Sequence, residues 1–286
     1  MYFISSRRSF WYSSALSTSD ETYSIELSSD DGADGATYEI ALHSVNSAQL
    51  QAAVVGKRVL LLVHGYNNAT AATLSSYRQI LKGMRLHGPT YDIVVGYIWP
   101  GEWMFTEFSD AVATAEGLAD RVRQNLLDLQ GATSIDVCAH SLGNLVVLGA
   151  LTKGGVHLRN MFALAPAIEH DALDMHGILY EASTHCEQLH VLHSRHDWVL
   201  SLGYQRFKAT PALGLNGPPV PDRTAASVFV VDSQRLVTGV GRGTAHSQYR
   251  RLPEMYKLMA RAAVSHPQKK RFSLDALDDA DWAERA

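Results

Sequence analysis

The rhythm of apolar positions changes near residue 57, and that change divides the chain. Before it, residues 1–56 alternate polar and apolar around Tyr23-Ser24-Ile25-Glu26-Leu27 and Tyr38-Glu39-Ile40-Ala41-Leu42. A period of two predicts one or two half-exposed strands, with Asp30-Asp31-Gly32-Ala33-Asp34-Gly35 turning between them. After it comes a short continuous apolar run, Val59–Val63, ended by His64-Gly65, and then a second buried strand, Tyr91–Ile98, ended by Trp99-Pro100-Gly101. Runs of this length suit strands covered on both faces, as in a parallel sheet. Ser134–Ala139, Asn160–Ala165, Leu189–His193 and Ser227–Val231 continue the series.

Helical spacing separates these runs. Leu74, Tyr77, Leu81 and Met84 share one face of a first helix, closed by Gly88-Pro89. Val112, Ala115, Leu118, Val122, Leu126 and Leu129 predict one long helix, with Ser109 as its N-cap and Gly131 as its terminator. Further helices are expected over Leu142–Lys153 and near Leu252–Val264, before an acidic stretch that begins at Ser273. Strands and helices in alternation imply right-handed βαβ crossovers, so the fold class is α/β with a mostly parallel central sheet flanked by helices. Three segments follow: N-terminal antiparallel strands joining the sheet over 1–56, a core over 57–266 with an insertion at 198–224, and an acidic C-terminal tail over 267–286.

Composition narrows the function. Hydrophobic residues make up 46% of the 286, enough for a sizeable core, and the net charge of −4 gives no electrostatic case for nucleic acid or an anionic membrane. The basic run Lys269-Lys270-Arg271 is short and reads as solvated surface. Cys138 and Cys186 are far apart, and each lies in an apolar stretch where cysteine acts as a small hydrophobe. Residues 1–8 lack the apolar region of a signal peptide, and no run approaches 18 apolar residues. A soluble, cytoplasmic protein with a small-molecule partner, no nucleic acid and no membrane is expected; homodimerisation is left open.

The chemistry centres on Ala139-His140-Ser141-Leu142-Gly143, between a buried strand and a helix. This is a G-x-S-x-G nucleophile elbow with alanine for the first glycine. Small residues two before and two after the serine let strand and helix approach closely around a strained turn. The turn lifts Ser141 Oγ above the sheet edge, and Leu142 N–H, at a helix N-terminus, faces a developing oxyanion. Val63-His64-Gly65-Tyr66-Asn67-Asn68 occupies the loop from which this architecture draws its second oxyanion donor, assigned to Tyr66 N–H. His64 ends a buried strand and is read as fixing that loop by a hydrogen bond.

A serine hydroxyl needs a base, and the base needs an orienting acid. In folds that carry a G-x-S-x-G elbow the chain order is serine, acid, histidine. Asp197 stands just past a strand end, and His246 lies after the last core strand and before the terminal helix. Asp232 is the rival acid, disfavoured because its strand should deliver the histidine. His185, His190, His193 and His196 lack the spacing of a metal site, so neither metal nor cofactor is expected. Trp103 and Phe105, within Gly101–Phe108, are candidates for a substrate pocket wall.

These residues also resemble a group of uncharacterised α/β-hydrolases of the esterase/lipase superfamily. Its marks are an HGYN loop, a later WP dipeptide and an AHSxGN elbow, matched here by His64–Asn67, Trp99-Pro100 and Ala139–Asn144. Ser194–Asp197, Gly214–Gly217 and His246–Tyr249 follow in order, so the likeness spans about residues 58–265. The resemblance implies an α/β-hydrolase fold and a Ser141–Asp197–His246 triad, with no substrate specified. A serine esterase acting on small soluble carboxylic esters is the expected function. A thioesterase, lipase or acyltransferase with the same triad, or a non-catalytic binding protein on this fold, are the alternatives.

Overall fold

The computed structural model describes residues 1–11, 15–24, 43–101, 107–239 and 244–285. The expected strand over Tyr38–Leu42, the turn at 30–35, and Trp103 and Phe105 lie outside them, as does Ile25–Leu27 of the other expected strand.

The strands are β1 (Tyr2–Arg7), β2 (Leu16–Ser24), β3 (His43–Val45), β4 (Arg58–Val63), β5 (Ile93–Ile98), β6 (Ser134–His140), β7 (Leu158–Leu164), β8 (Cys186–His193), β9 (Val228–Asp232), β10 (Ser265–Pro267), β11 (Arg271–Ser273) and β12 (Trp282–Glu284). Among the described residues, ten of them form one sheet in the order β11-β9-β8-β7-β6-β4-β5-β1-β2-β3. Pairing is parallel from β11 through β1, and the sheet turns antiparallel only at β1–β2 and β2–β3. The strands expected from residue 57 onward lie inside this sheet, where Val59–Val63, Val137–Ala139 and Met161–Leu164 are buried. The α/β fold expected from the alternation is the one observed.

The helices are α1 (Ser47–Val54), α2 (Thr70–His87), α3 (Phe108–Gly117), α4 (Ala119–Asp128), α5 (Gly143–Leu151), α6 (Tyr180–Thr184), α7 (Leu213–Asn216), α8 (Thr244–Gln248) and α9 (Pro253–Ala262). α2 packs against α9, while α5 packs against α3, α4 and α6. α5 leaves the nucleophile turn and is buried along its length apart from Gly149, as a helix that is apolar all round must be.

Two expectations need correction. The single helix predicted over 109–129 is two helices, α3 and α4, parted at Leu118. The apolar stripe runs unbroken through Leu118, so periodicity cannot register the break, whereas Gly117 immediately before it weakens the helix locally. Ser109 lies inside α3, whose N-cap is Glu107. The helix starts two residues earlier than a serine cap predicts because Phe108 is buried and packs with three aromatic rings. Within 267–286, β11 extends the main sheet beside β9, and β12 pairs with β10.

The sheet also encloses charge. Arg7, at the end of β1, is fully buried. Its Nε donates to Trp99 O (3.0 Å), Nη1 to Thr70 Oγ1 (2.9 Å) and Nη2 to Asn68 O (2.8 Å). One guanidinium thus ties the N-terminal strand to the loops after β4 and β5 and to the first residue of α2. Among the described residues no helix is long and apolar enough to cross a membrane.

Candidate active site

β6 ends at His140, and the next residue, Ser141, has φ +54°. A side chain rarely adopts this left-handed conformation, which costs about 1–3 kcal/mol and persists only where the surroundings enforce it. They do so here. Ser141 N–H donates to Leu164 O (2.9 Å), and Ser141 O accepts from Asn144 N (3.1 Å), Asn144 Nδ2 (2.9 Å) and Ala167 N (3.2 Å). Leu142, buried at the N-cap of α5, has no backbone acceptor for its N–H among the described residues. An unfilled amide beside a serine, at the positive end of a helix, can stabilise an anion.

The close approach expected at this turn is present. A Cβ on Gly143 would lie 2.4 Å from His64 O and 3.0 Å from Val63 O, both backbone atoms at the end of β4. A Cβ on Gly65 would lie 2.8 Å from Ser141 Cβ, so the loop after β4 touches the serine itself. Gly143→Ala is therefore expected to cost about 3 kcal/mol, the upper end for overpacking, since relief requires moving backbone rather than a side chain. Chemical denaturation checks this; an unchanged midpoint would mean the two elements separate freely.

Tyr66 follows Gly65, and Asn67 (φ +55°) donates its N–H to Gly101 O at 2.5 Å. His64 holds this loop in place. Trp99 N–H donates to its Nε2 (3.1 Å), its Nδ1–H donates to Gly65 O (2.8 Å), and Trp99 Nε1–H donates to His64 O (2.8 Å). The two rings stack with centroids 5.5 Å apart. Burial, reinforced by Arg7, pushes the His64 pKa down to about 3, so the ring stays neutral in the tautomer these bonds require. The HGYN loop and the WP dipeptide are thus two halves of one structure.

Asp197 and His246 come together. The Asp197 carboxylate is fully buried, and its Oδ2 accepts the His246 Nδ1–H at 2.7 Å. Its Oδ1 accepts Leu200 N–H (3.2 Å), supplied by a π-helical turn over Val199–Tyr204. Ser194 shapes the approach, with Oγ donating to Val237 O (2.7 Å) and its carbonyl accepting Asp197 N–H (3.1 Å). Because Asp197 accepts a hydrogen bond from Nδ1–H, a neutral His246 has an unprotonated Nε2. Asp232, the rival acid, instead bonds Gln234 and pairs with Arg271.

His140 is the residue that sequence reasoning missed. Its Nε2–H donates to His246 O (2.7 Å), and the two imidazoles lie 4.6 Å apart. The residue preceding the serine therefore anchors α8, the short helix that carries His246. Burial, with the nearby His246, holds the His140 pKa well below the ordinary value, so this ring stays neutral near neutral pH. The signal was in plain view at the x position of the elbow, but its partner lies 106 residues away.

An aromatic group stands over the other side. Phe108 packs edge-on to Tyr66 (5.6 Å between centroids) and Tyr204 (5.8 Å) and stacks on Phe207 (5.5 Å). Tyr204 and Phe207, from the insertion after the acid, were not singled out in the sequence.

The remaining histidines are interior groups. His190 lies between Phe162 and Phe229 with Nε2 bonded to Gln188 Oε1 (2.9 Å), and His193 is buried at the end of β8. Among the described residues, no three His, Cys, Asp or Glu side chains gather as a metal would require. Burial lowers the pKa of His190 to about 3 and of His193 to about 4. Together with His64, they bind protons more weakly in the fold than in the unfolded chain, where histidine titrates near 6.5. Stability is fully present above pH 6.5 and falls as the pH drops toward 4, by roughly 1 kcal/mol per pH unit for each ring. The urea midpoint should fall steeply between pH 6.5 and 5; a flat midpoint there would contradict the burial of these rings.

A family model described as "Alpha/beta hydrolase of unknown function (DUF900)" matches residues 43–262. Among solved structures, the product of the gene lin2722 from Listeria innocua is 12% identical, with a TM-score of 0.42; the match covers 77% of this chain and 99% of that one. A mutant of the esterase rPPE is 11% identical, with a TM-score of 0.33, covering 89% of this chain and 68% of that one. No curated protein matches.

Proposed function

The chain belongs to the DUF900 family of α/β-hydrolases, and from that premise we propose that it is a serine hydrolase cleaving small carboxylic esters through an acyl-enzyme. The observation that carries this reading is the buried Asp197–His246 bond, with the His246 ring 4.6 Å from that of His140, the residue before a serine held at positive φ. In the first step His246 Nε2 takes the Ser141 hydroxyl proton as Oγ bonds to the substrate carbonyl carbon. The carbonyl oxygen becomes an oxyanion, held by the backbone N–H groups of Leu142 and Tyr66. The C–O bond to the alcohol then breaks, and the alcohol leaves with the proton from His246. Water repeats the cycle on the acyl-serine, giving the acid and free enzyme. Asp197 keeps the imidazole in the required tautomer and stabilises its charged form. The aromatic group of Tyr66, Phe108, Tyr204 and Phe207 supplies an apolar wall for one part of the ester.

A fluorophosphonate probe tests the proposal directly. One equivalent should attach to the folded protein, with the modified peptide mapping to Ser141. A folded protein that does not react, or reacts only elsewhere, would refute it.

A further inference from the structure

The loop over His64–Asn68, to which the second oxyanion donor is assigned, is reached by the buried Arg7 along two chains of hydrogen bonds. In the first, Arg7 Nη2 donates to Asn68 O (2.8 Å), and Asn68 Nδ2 donates in turn to Tyr66 O (2.9 Å) and Gly65 O (3.3 Å). In the second, Arg7 Nε donates to Trp99 O (3.0 Å). Trp99 then holds His64 at both ends, with N–H on Nε2 (3.1 Å) and Nε1–H on the carbonyl (2.8 Å). His64 Nδ1–H completes this chain on Gly65 O (2.8 Å).

The two chains therefore converge on one atom, Gly65 O. A peptide group is planar, with its N–H opposite its C=O. Holding Gly65 O fixes the direction of Tyr66 N–H, the bond that faces the oxyanion. The far end of the loop is tied to the same N-terminal segment. Thr70, the first residue of α2, accepts from Arg7 Nη1 (2.9 Å) and donates its hydroxyl to Phe10 O (2.5 Å). Acceptors on three separate residues suit the planar fork of a guanidinium rather than the point charge of a lysine. The loop also has little latitude toward the nucleophile, since a Cβ on Gly65 would lie 2.8 Å from Ser141 Cβ.

We propose that Arg7 is a positioning residue for the oxyanion hole, so that β1 serves the active site although it lies outside residues 43–262. The assignment rests on the serine-hydrolase reading above. Arg7 acts through the Gly65–Tyr66 peptide group rather than on the ester itself. An oxyanion forms only as the reaction proceeds, so a misdirected N–H slows acylation and deacylation and leaves ester binding alone.

The test follows 4-nitrophenyl butyrate hydrolysis in Arg7→Met, Arg7→Lys and Asn68→Ala, with turnover divided by the sites that a fluorophosphonate titrates to completion. Arg7→Met should lower kcat about 10- to 100-fold, less than the loss of a whole oxyanion donor, with KM within about threefold. Arg7→Lys should lose less, because an ammonium keeps some of the bonds. Asn68→Ala should show the same split, and its loss should not multiply with that of Arg7→Lys, since both act on one peptide group. A residue that served the fold alone would reduce the melting temperature or the number of titrated sites and leave kcat per site unchanged.

Inhibition gives a second reading. Trifluoromethyl hexyl ketone accepts Ser141 Oγ on its carbonyl carbon, the serine proton passes to His246, and the oxyanion enters the hole. Its Ki should rise in step with the loss of kcat, whereas the Ki of methyl hexyl ketone, which stays a ketone, should not move. Unchanged kcat per site in folded Arg7→Met and Arg7→Lys, or equal weakening of both ketones, would overturn the assignment. Should Arg7→Met not fold, Arg7→Lys and Asn68→Ala decide by the same readings. Ester hydrolysis that persists in Ser141→Ala would instead defeat the serine-hydrolase reading, and the role of Arg7 with it.

Discussion

Ser141→Ala is expected to lower kcat/KM for 4-nitrophenyl esters by about 10⁴-fold or more and to leave the fold in place. Activity falls this far because no other group is offered to form the covalent bond, while whatever oxyanion stabilisation remains acts only on attack by water. Stability should shift by less than about 1 kcal/mol. The change removes one hydroxyl at a position whose backbone bonds, to Leu164, Asn144 and Ala167, do not involve Oγ. Alanine is also tolerated in this conformation elsewhere in the chain, since Ala165 has φ +45°. A third residue type separates strain from chemistry. Ser141→Gly should be equally inactive yet more stable by about 1 kcal/mol, because glycine occupies positive φ without penalty. Ester kinetics and thermal unfolding of the three proteins check both parts. Full activity in the alanine variant would end the case for Ser141.

How far this site could be read from the sequence depends on how local each signal is. Val59–Val63 appears as a strand because sheet burial on both faces leaves an unbroken apolar run in the chain itself, and Ser134–Ala139 is nearly as plain, with Asp136 its one interior polar residue. The small residues around Ser141 are equally local, since Ala139 and Gly143 answer to the closeness of one strand, one turn and one helix. Arg7 is different. Nothing near it marks it as buried, because the groups that satisfy it, Asn68, Thr70 and Trp99, are 61 to 92 residues away. The polar run Ser5-Ser6-Arg7 therefore hides β1, an interior strand, within a segment where polarity suggests surface. The role of His140 is hidden for the same reason: it depends on which distant segment lies opposite. Asp197 and His246 could be placed only because chain order along a parallel sheet limits which strand end can supply each group.

Asp197→Asn should reduce turnover by about 10³–10⁴-fold with little change in shape, and the loss comes from a proton in the wrong place. The carboxylate accepts two N–H bonds, from His246 Nδ1 on Oδ2 and from Leu200 on Oδ1. Asparagine offers one oxygen and one NH₂, so it cannot accept both. If its oxygen faces His246, the NH₂ opposes the Leu200 N–H in a site with no water access to the acid, leaving a buried donor unsatisfied at a cost of about 1–3 kcal/mol. If the amide turns over, its NH₂ faces Nδ1 and drives the imidazole proton to Nε2, the atom that must accept from Ser141. The second arrangement satisfies every bond and disables the base, so it is the one the fold should select. Fluorophosphonate labelling should slow in parallel with ester turnover, and melting should stay near that of the wild type. Asp232→Asn provides the contrast, since Asp232 bonds Gln234 and pairs with Arg271 rather than with His246. A larger loss of turnover in Asp232→Asn than in Asp197→Asn would reverse the assignment of the acid.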